Sequence, residues 1–454
     1  MGSADNENKL SRREWAKKTA GTFMILPAGL ARGYAANEKL NIGVVGLTGM
    51  GGVDAQTFHK LGENIAAICD VDSAILEKRG AEYPKAKKYT DFRKMIEREK
   101  LDAVSIATPD HSHAYISIWA MKHGLHVYCQ KPLCQTVHEA RVMAKVAAET
   151  KAITQMGTAS TSSASTLRTV ELIQSGALGE ITEIHVSTDR PVWPQGFDRL
   201  AGESPVPGSL DWDLWLGPAP VRPYQAIWPK DHAVYRPENW KKYIYQKDPD
   251  LPIYHPFTWR GWVEFGSGAV GDIAPHSMNV IFMALDLGAP SAVEVVETSG
   301  MRPEMYPEWS IVRWEWPQRG VHPPLKIYWY DGGKRIPESI TGGGRGSLVW
   351  IGTKGSLPQA AGRSGARRPN RIRRRRRGIG AARKSIRTGW LPSRRASFRA
   401  AIWVTPGRSP RHTSWPMSLC VWGIALNGTR WRFASRTAAK PTSTSTANTG
   451  RGGT

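Results

Sequence analysis

Residues 40–52 read Leu40-Asn41-Ile42-Gly43-Val44-Val45-Gly46-Leu47-Thr48-Gly49-Met50-Gly51-Gly52, an apolar segment that runs straight into a glycine-rich turn. A helical segment follows, and a second apolar segment ends on Asp70. Strand, turn, helix, strand and terminal acid form a unit that holds a dinucleotide. The turn lets the backbone approach a pyrophosphate, the helix N-terminus offers free N–H groups, and Asp70 is placed to accept hydrogen bonds from a ribose diol.

The turn by itself is a weak signal, and its cofactor-binding candidates are Gly46, Thr48, Gly49 and Gly51. Thr48 stands where the G-x-G-x-x-G pattern has its middle glycine, the one that gives the closest approach to the pyrophosphate. A plain strand-to-helix turn is the alternative interpretation. Asp70 weighs against it, and this acid favours NAD because it would repel a 2′-phosphate. NADP stays the alternative cofactor.

Apolar strands and helical segments then alternate, which predicts an α/β class. We expect an N-terminal Rossmann domain over residues 37–157 with a doubly wound parallel sheet. Ligands of such sheets bind at the carboxyl ends of the strands, where the sequence places Thr108, Pro109, His111, His113 and Lys131. His111 and His113 either line the cofactor site or cap the helix that follows.

The sequence pattern of residues 158–357 predicts a C-terminal α+β domain with a large open, mostly antiparallel sheet. The strand segments 292–297, 310–316 and 325–330 alternate as in a half-buried sheet. We expect this sheet to back the substrate site and to form a homo-oligomer interface in a dimer or tetramer. Irregular loops before it are rich in tryptophan, whose faces stack on sugars or pack the loops. The substrate-binding candidates are Arg190, Trp193, Trp259 and Arg260.

Three motifs in order resemble the Gfo/Idh/MocA oxidoreductases, the relatives of glucose–fructose oxidoreductase and inositol dehydrogenase. They are Ala107-Thr108-Pro109-Asp110-His111, Gln130-Lys131-Pro132 and the glycine-rich stretch from Gly266 to Asp272-Ile273-Ala274-Pro275-His276. Gln130 stands where the family has glutamate. The resemblance implies an NAD-dependent oxidoreductase that transfers hydride to or from a sugar or polyol. It also implies that Lys131, Asp272 and His276 carry the catalysis. NAD-dependent glycoside cleavage through transient oxidation, as in some relatives, is the alternative.

The residues support this chemistry independently. A partly desolvated lysine beside a cation has a lowered pKa, which suits Lys131 to proton transfer. Asp272 and His276 are four residues apart and share one face if the stretch is helical. They could orient sugar hydroxyls, and His276 could itself be the acid/base. The four cysteines show no zinc spacing, and no metal site is expected.

The N-terminal residues 1–36 resemble a twin-arginine export signal. Ser11-Arg12-Arg13 precedes a mildly apolar stretch and small residues. We therefore expect a periplasmic protein, or a cytoplasmic one if the signal is not used. Free NAD is not expected outside the cytoplasm, so export favours a cofactor that stays bound between turnovers.

Residues 358–454 differ in character from the rest of the chain. They carry 20 Arg and 2 Lys with no Asp or Glu, and so hold 22 of the 23 net positive charges. One interpretation is a nucleic-acid-binding arm. The favoured one is translation out of frame, because a shifted frame permits residues that resemble the family's C-terminus. We therefore expect a disordered tail and no nucleic-acid partner. No apolar run reaches 18 residues, so no membrane span is expected.

Overall fold

The computed structural model describes residues 39–244, 250–343 and 346–359. The predicted export signal and the predicted tail from residue 360 onward lie outside the described residues. Pro358 and Gln359 belong to an edge strand, so the second sheet extends two residues beyond the boundary predicted at Leu357.

The first domain is built on a six-stranded sheet with the order β3-β2-β1-β4-β5-β6. All five neighbouring pairs are parallel, which confirms the predicted doubly wound sheet. The chain order reverses between β1 and β4, so loops that leave these two strands open a crevice at their carboxyl ends. The strands are β1 (Asn41–Val45), β2 (Asn64–Cys69), β3 (Lys87–Tyr89), β4 (Ala103–Ile106), β5 (His126–Cys129) and β6 (Thr154–Met156).

Five helices connect these strands, and side-chain caps mark where three of them begin. The carboxylates of Asp72 and Asp91 each accept a hydrogen bond from the backbone of the first turn. Thr136 and Glu139 form a complete capping box. The helices are α1 (Met50–Lys60), α2 (Ser73–Gly80), α3 (Phe92–Arg98), α4 (Asp110–Lys122) and α5 (Val137–Thr150).

The second domain contains a mixed sheet with the order β12-β11-β7-β10-β9-β8. Only β7 and β10 run parallel, and the other four pairs are antiparallel. This confirms the predicted mostly antiparallel sheet, and β9 shows strict alternation of buried and half-buried residues. The strands are β7 (Ile181–Ser187), β8 (Ala292–Thr298), β9 (Ser310–Trp316), β10 (Leu325–Tyr330), β11 (Leu348–Gly352) and β12 (Gly355–Gln359).

The helices of this domain are α6 (Ala164–Gln174), α7 (Trp212–Leu216), α8 (Pro237–Trp240), α9 (Gly268–Ser277), α10 (Asn279–Leu285) and α11 (Glu338–Thr341). Short 3₁₀ turns lie at Ala159–Ser162, Ala233–Tyr235 and Thr258–Gly261. Ala274 on α9 and Phe282 on α10 share one buried core with Trp329 of the sheet. No helix in the described part of the chain is long and apolar enough to span a membrane.

A separate aromatic core holds the tryptophan-rich loops of the second domain. Trp228 and Trp262 are fully buried in it, beside Tyr254 and Phe265. Their rings serve loop packing, which is the alternative that the sequence left open for these tryptophans.

The close packing of Gly51 in the glycine-rich turn can be tested by substitution. A Cβ atom at Gly51 would lie 1.8 Å from the carbonyl oxygen of Gly46, a backbone atom that cannot move aside. We expect Gly51→Ala to lower the free energy of unfolding by about 3 kcal/mol through overpacking, measured by urea denaturation. Gly288→Ala is the control, because a Cβ atom there meets open space. Equal stability of the two variants would contradict this account.

Candidate active site

A cleft of about 1000 Å³ lies along the carboxyl ends of the parallel strands. Its walls come from both domains: loops after β1, β2, β4 and β5 on one side, and parts of 213–218 and 255–260 on the other. Most of the predicted cofactor-binding residues line it, namely Gly46, Thr48, Gly49, Asp70, Thr108, Pro109, His113 and Lys131. Gly51 and His111 do not.

The glycine-rich turn is shaped by close packing. Gly46 has φ 82°, and a Cβ atom there would lie 2.6 Å from the carbonyl oxygen of Ala107. Gly51 permits the contact between turn and helix, which is a packing role without contact to the cleft. Thr48 and Gly49 are exposed in the cleft, and no side chain caps the N-terminus of α1. The first-turn N–H groups of α1 are therefore open to an anionic ligand.

Asp70 is buried at the end of β2 and lines the cleft. Its carboxylate accepts hydrogen bonds from the backbone N–H groups of Leu47, at 2.9 Å, and Asp72, at 3.1 Å. Burial raises the pKa of Asp70 to about 6, although these hydrogen bonds oppose the shift. Asp70 thus fixes the glycine-rich turn and retains lone pairs for a ribose.

The second domain is attached directly to this edge of the cleft. The N–H of Ser73 donates to the carbonyl of Ser209 at 2.8 Å, and the N–H of Asp211 donates to Val71 at 3.0 Å. The two hydrogen bonds flank an antiparallel bridge between Asp72 and Leu210. The chain that leads into α7 is therefore bound to the loop after β2.

His111 and His113, near the start of α4, have different surroundings. Both ring nitrogens of His111 face backbone carbonyls, Phe265 at 3.3 Å and Trp215 at 3.1 Å, and the buried ring lies outside the cleft lining. The ring of His113 lies 2.6 Å from the carbonyl of Pro132 and 2.8 Å from that of Thr108. His111 thus contacts the second domain, whereas His113 links Thr108, just before α4, to the Lys131-Pro132 turn.

The three residues predicted to carry catalysis meet where the two domains face each other. The Nζ of Lys131 donates to the Oδ1 atom of Asp272 at 2.7 Å and to its backbone carbonyl at 3.0 Å. The Nε of Arg260 lies 3.2 Å from the same Oδ1 atom. Burial alone would raise the pKa of Asp272, but Lys131 and Arg260 outweigh it and hold the pKa at about 2. Asp272 is therefore ionised at any ordinary pH.

His276 lies one turn after Asp272 on α9, as the spacing predicted. Burial and the positive charge of Lys131 lower its pKa to about 4, against the opposing effect of Asp272. The imidazole is thus neutral at pH 7 and can accept a proton. Lys131 is ion-paired with the carboxylate of Asp272, whereas the sequence analysis expected a partly desolvated lysine beside a cation.

Two of the four predicted substrate-binding residues line the cleft. Trp259 and Arg260 do so, and the Arg260 guanidinium lies 4.2 Å from the Trp259 ring centroid. Trp193 was predicted wrongly: it is 1% exposed and donates to Gln195 inside the protein, so its face cannot reach a sugar. Arg190 does not line the cleft and pairs with Asp189, but its charge helps to lower the pKa of His276.

Other residues of the site were missed from the sequence. Trp215, His255 and Phe257 line the second-domain wall, and none of them lies in a segment with a recognisable motif. Asp110 is the first residue of α4 and belongs to a motif that the sequence analysis quoted without giving this residue a role. It is 1% exposed, and burial, with nearby Asp272, raises its pKa to about 7.

The family model of the Gfo/Idh/MocA oxidoreductases, described as having an NAD-binding Rossmann fold, matches residues 40–158. Through this domain the chain is similar to the Gfo/Idh/MocA oxidoreductases. The resemblance seen in the motifs is thereby confirmed, and with it the NAD-binding character of the first domain.

Two relatives illustrate the range of the family. Inositol 2-dehydrogenase of Rubrobacter xylanophilus is 30% identical over 176 residues, which cover 37% of this chain and 46% of that protein. A glycosyl hydrolase family 109 protein of Bacteroides fragilis is 29% identical over 154 residues, covering 32% and 36%. The chain thus matches about half the length of its relatives or less.

Among solved structures, GenD2 from gentamicin A biosynthesis, in complex with NAD, shares the fold over both domains. The superposition covers 85% of this chain and 91% of GenD2, with a TM-score of 0.51 and 17% sequence identity. Similarity at this level concerns the fold alone.

The raised pKa of Asp70 predicts how binding of the cofactor depends on pH. As pH falls through about 6, the carboxylate takes up a proton and loses a charged acceptor for the ribose. We expect the affinity for NADH to weaken about tenfold between pH 8 and pH 5, measured by fluorescence titration. Asp70→Asn should bind weakly at both pH values. Asp198→Asn, an exposed carboxylate outside the cleft, is the control, and tight, pH-independent binding by Asp70→Asn would refute the assignment.

Proposed function

We propose that this protein is an NAD-dependent dehydrogenase that oxidises a secondary alcohol of a sugar or polyol. The observation that carries the proposal is the cluster of Lys131, Asp272 and His276, in which Lys131 lines the cofactor cleft and is hydrogen-bonded to Asp272. It combines a fixed cation, an ionised carboxylate and a neutral imidazole. An alcohol needs such groups to lose its hydroxyl proton while its C–H hydrogen leaves as hydride.

The residues present fit the cofactor. The uncapped start of α1 and the turn residues Gly46, Thr48 and Gly49, which line the cleft, suit a pyrophosphate. Asp70 and Asp72 line the cleft at the end of β2, and their carboxylates would repel the 2′-phosphate of NADP. Bound NAD⁺ would supply the hydride acceptor.

Within this arrangement each member of the cluster has a separate task. The neutral imidazole of His276 takes the hydroxyl proton. The Lys131 ammonium, held by Asp272, stabilises the negative charge that develops on the alcohol oxygen. Arg260 and Trp259 offer a donor and an aromatic face to the rest of the substrate.

We further propose that the cofactor stays bound between turnovers and that the protein acts outside the cytoplasm. Support comes from the twin-arginine pattern of residues 1–36 and from the two-sided cleft. In that cleft the Asp72–Leu210 bridge joins the second domain to the ribose edge. The protein purified from its own host compartment should contain about one NAD(H) per chain and turn over without added nucleotide. Rapid exchange with free NAD would point to an ordinary dehydrogenase instead.

The similarity to glycosyl hydrolase family 109 proteins favours a second candidate, glycoside cleavage through transient oxidation of the sugar. The assay that separates the two follows aglycone release and NADH absorbance together. Release without net NADH supports the hydrolase, and net NADH formation from a free sugar or polyol supports the dehydrogenase.

His276 provides the sharpest test of the catalytic assignment. His276→Ala should lower kcat for alcohol oxidation by about 10²- to 10⁴-fold, as expected when a general base is removed. In the unaltered enzyme, kcat/KM for oxidation should fall as pH drops through about 4, because the protonated imidazole can no longer accept a proton. The exposed His138 gives the control variant His138→Ala. An unchanged rate in His276→Ala would exclude His276 as the base.

A further inference from the structure

The loop Val263–Ser267 lies immediately before α9, the helix that carries Asp272 and His276. The first domain holds this loop at several points. The side-chain amide of Gln135 donates both to the carbonyl of Val263, at 2.7 Å, and to that of Gly266, at 2.8 Å. The hydroxyl of Ser267 donates to the Oδ2 atom of Asp110 at 2.7 Å. We call Asp110, Gln135 and the loop the interdomain clamp.

The loop itself leaves little freedom for α9 to shift. A Cβ atom at Gly266 would lie 2.5 Å from the carbonyl oxygen of Arg260, so the loop packs directly on the segment that supplies this arginine. Gly268 begins α9 with φ 61° against the ring of Tyr306. A change in how the first domain holds the loop is therefore transmitted to Asp272, one helical turn further on.

We propose that Asp110 and Gln135 are positioning residues that hold α9 so that Asp272 and His276 face Lys131. None of the residues in the clamp belongs to the predicted catalytic set. Lys131 comes from the first domain and the other two from the second, so the catalytic geometry depends on how the domains are joined. The inference rests on the proposed function for its kinetic consequences, but the clamp can be tested without activity.

The burial of Asp110 supports a role beyond packing. Burying a carboxyl group to 1% exposure costs desolvation free energy that an apolar side chain would not cost. Across the interface, the carboxyl group of Asp110 accepts a hydrogen bond from the hydroxyl of Ser267. The charged groups that face it are Asp272, Arg260 and Lys131, and the phenol of Tyr306 lies near it. Burial and Asp272 raise the pKa of Asp110 to about 7, so a large fraction of Asp110 is uncharged at neutral pH and does not compete with Asp272 for the two cations.

The kinetic experiment compares Gln135→Met, Asp110→Ala and Asp110→Asn in the full chain. Gln135→Met keeps the length of the side chain but removes both donors, and Asp110→Ala removes the acceptor. We expect kcat for hydride transfer to fall about 10- to 100-fold in both, as small misplacements of reacting groups do. In Gln135→Met the dissociation constant of NADH should change less than about twofold, because Gln135 lies outside the cleft lining. Asp110→Asn still accepts from Ser267 and should retain most of kcat.

The matched control is Gln174→Ala, an exposed glutamine whose amide makes one long bond to Met283 within the second domain. Ser267→Ala removes the donor of the Ser267–Asp110 hydrogen bond and so breaks the same bond from its other side. If Asp110 acts through Ser267, the double variant Asp110→Ala/Ser267→Ala should lose no more kcat than either single variant. Additive losses, or equal losses in kcat and NADH affinity, would overturn the proposal.

An activity-independent measurement separates the clamp from the proposed function. Lys131→Met should destabilise the unaltered chain, because it leaves a buried carboxylate with one fewer cation. In the Gln135→Met background the same change should destabilise less, since Asp272 no longer faces Lys131 closely. Urea denaturation of the unaltered chain, Lys131→Met, Gln135→Met and the double variant gives the coupling free energy between the two positions. Zero coupling overturns the clamp whatever the kinetics, whereas coupling in a chain without dehydrogenase activity supports the clamp and refutes the proposed function.

Discussion

The ion pair between Lys131 and Asp272 is the contact on which the site depends, because it crosses from one domain to the other. The lysine follows β5 of the Rossmann sheet, and the carboxylate lies on α9 of the second domain. Both side chains are nearly buried, at 12% and 8% exposure, so each charge needs the other. Removing one partner of such a pair costs several kcal/mol. The pair therefore constrains how the two domains can be arranged.

The same constraint shapes the electrostatics around the pair. Lys131 and Arg260 lower the pKa of Asp272, and the lysine charge also lowers that of His276. Asp110 lies close enough to Asp272 for its own pKa to rise. The pKa values of Asp272, His276 and Asp110 are thus set by burial together with the charges of their neighbours. A neutral imidazole and an ionised carboxylate one helical turn apart are the result, and this division suits proton transfer beside a hydride acceptor.

Much of the fold could be predicted because its signals are local. The apolar segments at residues 40–46 and before Asp70 predicted β1 and β2 correctly, whereas β3 carries no apolar run because it consists of Lys87, Lys88 and Tyr89. The spacing of Asp272 and His276 placed both on one helix face correctly. Trp193 was assigned wrongly because an aromatic residue in a loop can stack on a ligand or pack inside the protein, and only its 1% exposure distinguishes the two.

The sequence by itself predicted the Rossmann unit, NAD as its cofactor and, through the family resemblance, Lys131, Asp272 and His276 as the catalytic residues. Each of these depends on residue type and on short spacing along the chain. The tertiary structure decided what those residues do. Lys131 is an ion-paired cation because Asp272, 141 positions away, lies 2.7 Å from it, and His276 is neutral because it is buried beside that cation. The roles of Asp110 and Gln135 appear only at the domain interface. Protonation states and interdomain contacts depend on distances in space, which the order of residues does not encode locally.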